Sequence, residues 1–288
     1  MKVNNHKLDQ PNYPAILAKI YDPPQQIYWR GADPAAWLDL PKLGIVGSRK
    51  PTSYGRQTTY KFASDLASRG IVIVSGLAFG IDSIAHQAAI EAGGLTVAVL
   101  PGSIEQIYPA SHRALADKII SSGGSLVSEY PSGTDVRKEN FIARNRIISG
   151  LSDGLLITQA GAKSGSLHTA SFAIEQGKTV MAVPGDITVS LNEGTNGLIK
   201  TGALAITSID DVLFGLGLDI RKSKAAQKIF KGTPQQQKIF ELIRDGLTDQ
   251  EKLAAASQLD SANLSSALTM LEISGYIRPI GGGQWTTT

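Results

Sequence analysis

Residues 42–55, KLGIVGSRKPTSYG, join a short apolar run to a loop of small and basic residues and then to the start of a helical pattern. An apolar run that ends in glycine and leads into a helix is typical of the first βα unit of a parallel sheet. The same rhythm continues to about residue 206. The predicted strands are Leu43–Val46, Ile71–Val74, Leu95–Leu100, Ser125–Ser128, Gly154–Thr158 and Thr179–Val183.

The apolar character of these runs is too continuous for a sheet with one wet face, so helices should cover both faces. The predicted fold class is therefore α/β, a Rossmann-like, doubly wound, mostly parallel sheet with right-handed crossovers. Ligands of such sheets bind beyond the carboxyl ends of the strands. The intervening helices are predicted to begin near Tyr54, Asp82, Ala110, Phe141, Ser166 and Gly194.

The chain divides by pattern into four segments. Residues 1–40 form a short lead-in, residues 41–215 the α/β domain, and residues 216–232 a linker whose basic residues are Arg221, Lys222, Lys224, Lys228 and Lys231. Residues 233–288 carry three helical patterns and two short strands around Gly281-Gly282-Gly283. Three helices followed by a hairpin indicate a small winged-helix domain.

Composition excludes several classes of protein. The 288 residues contain no cysteine, which excludes disulfides and thiolate chemistry and fits the cytoplasm. No leader-like segment or membrane-length apolar run is present, so no membrane role is expected. The net charge of +3 is the sum of +1 in residues 1–218, +4 in 219–232 and −2 in 233–288, so any nucleic-acid site must come from local clusters.

The first loop does not fit a dinucleotide site. After Gly44 and Gly47 come Ser48 and Arg49 where a dinucleotide fingerprint has glycines, and the second strand lacks the acidic residue that would hold a ribose. The Ser48 hydroxyl, the Arg49 guanidinium and the N-terminus of the following helix are instead groups that bind an anion. Arg49 and Lys50 are hence candidate phosphate contacts, although a surface role for Arg49 remains an alternative.

A second basic loop, residues 129–152, places Arg137 and Lys138 before a helix that carries Phe141, Arg144 and Asn145. Cations beside an aromatic ring suit a strand of nucleotides, because cations meet phosphates and the ring can stack on a base. Packing of Phe141 on the sheet is the alternative. Arg144 and Arg146 should face different sides of the helix, roughly 200° apart, which favours Arg144 as the contact and a structural role for Arg146.

A third loop, residues 159–170, contains Lys163 followed by Ser164, Gly165 and Ser166 at another helix start. Like the first loop, it combines a cation with backbone N–H groups. The three loops follow strands of one parallel sheet and should meet at one edge. They predict a single anion-binding surface.

Candidates for catalysis are weak. Asp82 is expected to cap its helix and His86 to hydrogen-bond nearby, while His168 should be packed among small residues. Neither a metal site nor a cofactor is predicted. Gly194, Thr195 and Asn196 could bind a phosphate or shape the sheet edge. A phosphoribohydrolase of related fold would need a glutamate there, but Leu198 or Ile199 occupies its position.

Several long motifs follow one another along the chain and together carry a family resemblance. They are GIVGSR (44–49), SGLAFGIDSIAH (75–86), PGS (101–103), YP (108–109), SEYP (128–131), FIARNRIISGLS (141–152), KSGSLHTA (163–170), VPGD (183–186), GTNGLI (194–199) and GA (202–203). From about Tyr13 to Val212 the chain thus resembles the DNA-processing protein A family, also called DprA or Smf. Many members also carry an N-terminal helical SAM-like domain, whereas only about 40 residues precede the first strand here.

The resemblance implies a homodimer that binds single-stranded DNA, protects incoming strands during natural transformation and helps load the RecA recombinase, without enzymatic turnover. The family's DNA contacts would fall on the residues Ser48, Arg49, Lys138, Phe141, Arg144, Asn145 and Lys163. The C-terminal domain resembles the family's winged helix, but residues 260–273 contain no Lys or Arg, so we expect protein contacts there. The alternative function is a nucleotide-processing enzyme that uses the same pocket.

Overall fold

The computed structural model describes residues 3–218, 233–244, 246–257 and 259–287. The chain divides near residue 227 into two compact units, which we describe separately. The basic residues of the predicted linker, between 219 and 232, lie outside the described residues.

The N-terminal unit contains one sheet of nine described strands in the order β1-β2-β6-β5-β4-β3-β7-β8-β9. Strands β3 to β9 are parallel. The bounds are β1 Asn4–Lys7, β2 Gln26–Gly31, β3 Lys42–Val46, β4 Val72–Ser75, β5 Thr96–Val99, β6 Ser125–Ser128, β7 Gly154–Ile157, β8 Thr179–Ala182 and β9 Leu204–Ala205.

Helices cover both faces of this sheet. Leu155 packs with the face that carries α1, α5 and α6, whereas the next residue, Leu156, packs with α2, α3 and α8 on the other face. This alternation confirms the doubly wound α/β prediction. The helices are α1 Ala15–Ala18, α2 Ser53–Ala67, α3 Ile81–Glu91, α4 Arg113–Ser121, α5 Lys138–Leu151, α6 Ser166–Glu175, α7 Glu193–Lys200 and α8 Ile209–Gly215.

The winding direction reverses at β3. From β3 the chain proceeds outward through β4, β5 and β6, and α5 then returns it to β7 on the opposite side of β3. The loops that follow β3 and β7 therefore diverge, which leaves a crevice at the carboxyl edge of the sheet. This is the edge at which the sequence places the three basic loops.

The lead-in differs from the sequence expectation. It contributes β1 and β2, and β2 pairs antiparallel with β6, so this segment is part of the main sheet. Trp29 and Trp37 are buried, and the Trp37 indole donates to the Ser125 hydroxyl at 3.1 Å. Pairing to a distant strand leaves no signal in the local pattern, which explains why the sequence alone does not reveal it.

An ion pair joins α5 to the end of β6. Arg146 donates from its two terminal nitrogens to both carboxylate oxygens of Glu129, at 2.9 and 2.6 Å, and its Nε donates to the Asp22 carbonyl. Both side chains are largely shielded from solvent. Arg146 is thus structural and faces away from Arg144, as the helical angle predicts.

The C-terminal unit contains α9 (Pro234–Arg244), α10 (Gln250–Ser257), α11 (Ser261–Ile273) and a hairpin of β10 (Ile277–Gly281) and β11 (Gln284–Thr287). Its helices share a separate apolar core, which includes Ile239, Leu253, Leu264 and Leu268. The order confirms the predicted winged helix. Within the described parts of both units, no helix has the length and apolar character needed to span a membrane.

We expect Glu129→Ala to lower the free energy of unfolding by about 3 kcal/mol, because it removes the shielded carboxylate partner of Arg146 and leaves the guanidinium only the exposed Asp22 carboxylate, 3.2 Å from its Nε. The control is Asp65→Ala, which removes the exposed partner of Lys61 and should cost less than about 1 kcal/mol. Urea titrations of both variants make the comparison. Equal losses of unfolding free energy in the two variants would contradict the structural role of the Arg146–Glu129 pair.

Candidate nucleic-acid interface

A cavity of about 690 Å³ lies at the crevice between the loops that follow β3 and β7. Ten of the twelve residues predicted from sequence line it, contributed by all three basic loops. These residues are Ser48, Arg49, Lys50, Phe141, Arg144, Asn145, Lys163, Ser164, Gly165 and Ser166.

The loop after β3 is fixed by backbone contacts. The Ser48 N–H donates to the Gln159 carbonyl at 2.8 Å, and the Ser48 hydroxyl accepts the Lys50 N–H at 3.1 Å. Thr52 caps α2 by accepting the Gly55 N–H. Ser48 is consequently buried and ordered by its own turn, while the side chains of Arg49 and Lys50 remain exposed.

A second loop crosses close to this one. The Ile81 N–H donates to the Ser48 carbonyl at 3.1 Å, and Gly80 has φ 79° and ψ −122°. A Cβ at Gly80 would clash with the Ser48 carbonyl oxygen and the Arg49 backbone. Glycine is required there both by the backbone conformation and by the close approach of the two chains.

The start of α5 places a ring at the wall of the cavity. The Arg49 guanidinium carbon lies 5.2 Å from the centre of the Phe141 ring, and the Tyr108 ring meets Phe141 edge-on at 5.4 Å. Phe141 is only half-buried. Its ring contacts are with neighbours at the cavity edge, which favours the stacking alternative over packing on the sheet.

Arg144 lies at the floor of the cavity and is 3% exposed. Its Nη1 donates to the carbonyls of Gly76, at 2.6 Å, and Val99, while its buried Nε has no partner among the described residues. Burial lowers the pKa of the Arg144 guanidinium to about 10, so it remains protonated at neutral pH. Arg144 thus supplies a fixed positive charge beneath the cavity, and direct ligand contact by its side chain stays a prediction.

Asp82 is buried opposite this charge. Its carboxylate accepts the N–H groups of Gly76, at 3.1 Å, and Ala78, at 3.4 Å, so it orders the loop before α3 and does not cap the helix as the sequence suggests. Burial raises the pKa of the Asp82 carboxyl, against the opposing effect of the Arg144 guanidinium. His86 hydrogen-bonds Thr96 through Nδ1 at 2.6 Å, which confirms its predicted local partner.

The loop after β7 forms the opposite wall. Lys163 is exposed, and the hydroxyls of Ser164 and Ser166 lie 2.8 Å apart at the start of α6. The Asn145 amide donates to the Gly165 carbonyl at 3.4 Å, which links this loop to α5. The positive end of the α6 dipole and the Lys163 ammonium both favour an anion here.

Two predicted site residues lie outside the cavity. Arg137 precedes α5 and Lys138 is its first residue, and both side chains are exposed. Neither lines the cavity, although Phe141 in the same first turn does. Both cations therefore lie next to the cavity wall, on the turn that carries Phe141, and a DNA contact by either stays a prediction.

The prediction for His168 is wrong. The side chain is exposed and lines the cavity, because it lies on the outer side of the first turn of α6. The helix pattern shows only that its neighbours are small. Which side of α6 meets the sheet is decided by Ala170 and Ala173, which are buried.

Gly194 and Thr195, in the first turn of α7, hold the framework together. The N–H groups of Gly194 and Thr195 both donate to the Ala160 carbonyl, at 2.8 and 3.3 Å, and Asn196 holds the Gly185 backbone through two hydrogen bonds. Of the two sequence alternatives, these contacts favour shaping of the sheet edge.

Comparison with known proteins identifies close relatives. The family model for DNA recombination-mediator protein A matches residues 5–217, and the DprA winged helix domain model matches residues 223–283. Protein Smf of Escherichia coli is 36% identical over 97% of this chain and 77% of its own length. DNA processing protein DprA of Bacillus subtilis is 43% identical over 73% of this chain and 70% of its own length.

Two solved structures are similar to this chain in both fold and sequence. DNA processing protein A from Streptococcus pneumoniae superposes with a TM-score of 0.69 at 39% identity, covering 74% of each chain. The Helicobacter pylori protein, whose structure concerns its single-stranded DNA binding mode, gives a TM-score of 0.67 at 34% identity, covering 75% of this chain and 96% of that one.

We expect Gly80→Ala to lower the free energy of unfolding by more than about 3 kcal/mol, since it combines a strained backbone with a backbone clash. Gly133→Ala is the matched control, because Gly133 has a similar φ of 80° but open space around its Cβ position. It should cost about 1–2 kcal/mol. Urea unfolding of the two variants is the measurement, and equal costs would show that the loop crossing at Ser48 is not tight.

Proposed function

The chain belongs to the DNA recombination-mediator protein A family, and on this premise we propose that it binds single-stranded DNA in the cavity at the β3/β7 crevice. The observation that carries the proposal is the convergence of three basic loops around one accessible ring. We propose a binding role in recombination, without chemical turnover of the DNA.

The charges suit a phosphate backbone. Arg49, Lys50 and Lys163 are exposed at the cavity, and the buried Arg144 guanidinium adds a positive charge below them. Asp82 is the acidic group among the described lining residues, and it is engaged by backbone N–H groups. The cations therefore face an incoming phosphate with little local opposition.

The ring favours unpaired bases. Phe141 lines the cavity at the edge of the positive surface, so a base could lie against it while neighbouring phosphates meet Arg49 or Lys163. A base inside a duplex is already stacked on both faces and cannot reach such a ring. Contact through phosphates and one π-face gives affinity with little sequence preference.

The nucleotide-enzyme alternative is less well supported. Its catalytic glutamate position holds Leu198 or Ile199, and the N–H groups of Gly194 and Thr195 are committed to Ala160. Asp82, the acid that does reach the cavity, is likewise committed to the loop before α3.

By family membership we extend the proposal to biological context. The protein would act in the cytoplasm as a homodimer, protect incoming single strands during natural transformation and help load RecA on them. Transient binding suits this role, because contacts made through phosphates can be exchanged when a recombinase competes for the strand.

The winged-helix unit suits a protein partner. The exposed side of α11 presents Met270 and Ile273, at 48% and 75% exposure, and α11 contains no Lys or Arg. A helix that reads duplex DNA needs cations for the phosphates. We propose that this unit contacts protein.

Deletion of residues 228–288 should then leave the affinity for oligo-dT within about twofold of wild type, since each unit has its own core and the cavity belongs to the first. Fluorescence anisotropy measures this. A large loss of affinity for oligo-dT would place DNA contacts on the winged helix.

We expect Arg49→Ala and Lys163→Ala each to weaken binding of labelled oligo-dT about tenfold, as for loss of one hydrogen bond to a charged group. Each should also reduce the slope of log K against log salt by about 0.7, the value for one phosphate contact on a single strand. Anisotropy at several salt concentrations, with a matching duplex, gives both quantities.

The control is Lys118→Ala, which removes an exposed lysine near the C-terminal end of α4, away from the cavity. It should bind oligo-dT as wild type does. The proposal is contradicted if wild type binds duplex as well as single strand and neither cavity variant changes this. Release of a free base from a nucleotide would support the enzyme alternative.

A further inference from the structure

A second aromatic surface lies beside the cavity. It consists of Phe79, Tyr108 and His112, which we call the aromatic shelf. Phe79 is 49% exposed and Tyr108 is 48% exposed, so about half of each side chain is open to solvent. Large rings at such exposure offer a face for stacking.

The Phe79 ring is held in place. It meets the His112 ring edge-on at 4.8 Å, and His112 Nδ1 lies 2.8 Å from the Leu77 carbonyl oxygen. Leu77 is fully buried and has φ 58°, while Ala78, next to Phe79, lines the cavity. The loop is thus anchored on both sides of the exposed ring, which lowers the entropic cost of stacking a base on it.

The shelf is continuous with the cavity. Tyr108 meets Phe141 edge-on, and Phe141 in turn lies beneath the Arg49 guanidinium. His112 follows Tyr108 by four residues, at the end of the single-turn helix Ala110–His112. Two ring pairs, Phe141–Tyr108 and His112–Phe79, therefore lie at and beside the cavity wall, joined by the short segment from Tyr108 to His112.

The sheet order gives this surface a direction. The cavity lies at the loops after β7 and β3, Phe79 follows β4, and Tyr108 follows β5, in the spatial order β7-β3-β4-β5-β6. Three strand spacings separate β7 from β5, roughly 14 Å along the carboxyl edge. The exposed cations Arg137 and Lys138 stand at the start of α5, within one turn of Phe141, whose ring contacts Tyr108.

We propose that Phe79 and Tyr108 form a second base-stacking subsite on which the single strand continues after it leaves the cavity. This inference rests on the proposed function. Aromatic rings stack on any base, and cations along the groove follow the backbone. Arg137 and Lys138 then contact phosphates of this outer part of the strand, which explains why they lie outside the cavity.

The test compares two lengths of labelled oligo-dT, about three and about 20 nucleotides. At about 3.4 Å per nucleotide the short strand spans less than the roughly 14 Å to Tyr108, whereas the long strand also reaches the shelf. The variants are Phe79→Ala and Tyr108→Ala. Two further variants are controls. Tyr108→Phe keeps the ring of Tyr108. Tyr21→Ala removes an exposed tyrosine at the other end of α5 from the shelf, since the neighbouring Ile20 packs near Gly150 in the last turn of that helix. Melting temperatures show whether each variant is folded.

Each alanine variant should lose about tenfold in affinity for the long strand and keep wild-type affinity for the short one, because one stacked base is lost. The salt dependence should not change, since no phosphate contact is removed, whereas Lys138→Ala should reduce it. Tyr108→Phe and Tyr21→Ala should bind both strands as wild type does.

The proposal is overturned if folded alanine variants bind the long strand normally. It is also overturned if they lose affinity for both strands equally, because the rings would then act only by shaping the cavity. If the wild-type protein binds neither strand, the proposed function fails and the shelf fails with it.

Discussion

The reversal of winding at β3 is the constraint on which the structure depends. Because β4 and β7 flank β3 on opposite sides, the chain leaves β3 and β7 through loops that must diverge at the carboxyl edge. The hydrogen bond from Ser48 to Gln159 holds these loops at a fixed separation. The crevice is thus a consequence of topology, and the side chains around it determine which ligand it accepts.

Those side chains combine an ordered floor with accessible walls. Arg144 and Asp82 are buried and bind the backbone of neighbouring loops, so the floor is charged but rigid. Arg49, Lys50 and Lys163 remain exposed above it. Rigid charge below and flexible charge above is an arrangement suited to a long anion that must be bound and later released, since exposed contacts weaken readily with salt or competition.

Much of this could be predicted from the sequence, for a physical reason. A strand buried on both faces must be apolar along its whole length, so the six strands β3 to β8 and the loops after them leave a local signal, whereas the two-residue β9 is too short to do so. Strands β1 and β2 leave none, because they join the sheet through the antiparallel pairing of β2 with β6, which depends on residues far away in the chain. The depth of Arg144 and the exposure of His168 were also hidden. The exposure of His168 depends on which side of α6 meets the sheet, which a window of small residues shows poorly. The depth of Arg144 depends on the carbonyls of Gly76 and Val99, which belong to distant parts of the chain.

The most direct test of the central claim is hydrogen–deuterium exchange of the full chain with and without oligo-dT. Binding at the crevice predicts slower exchange in three separate segments, near residues 47–52, 137–146 and 161–168, with α11 unchanged. Protection confined to the winged helix or to the basic segment 219–232 would contradict the account, since the crevice would then not be the DNA site.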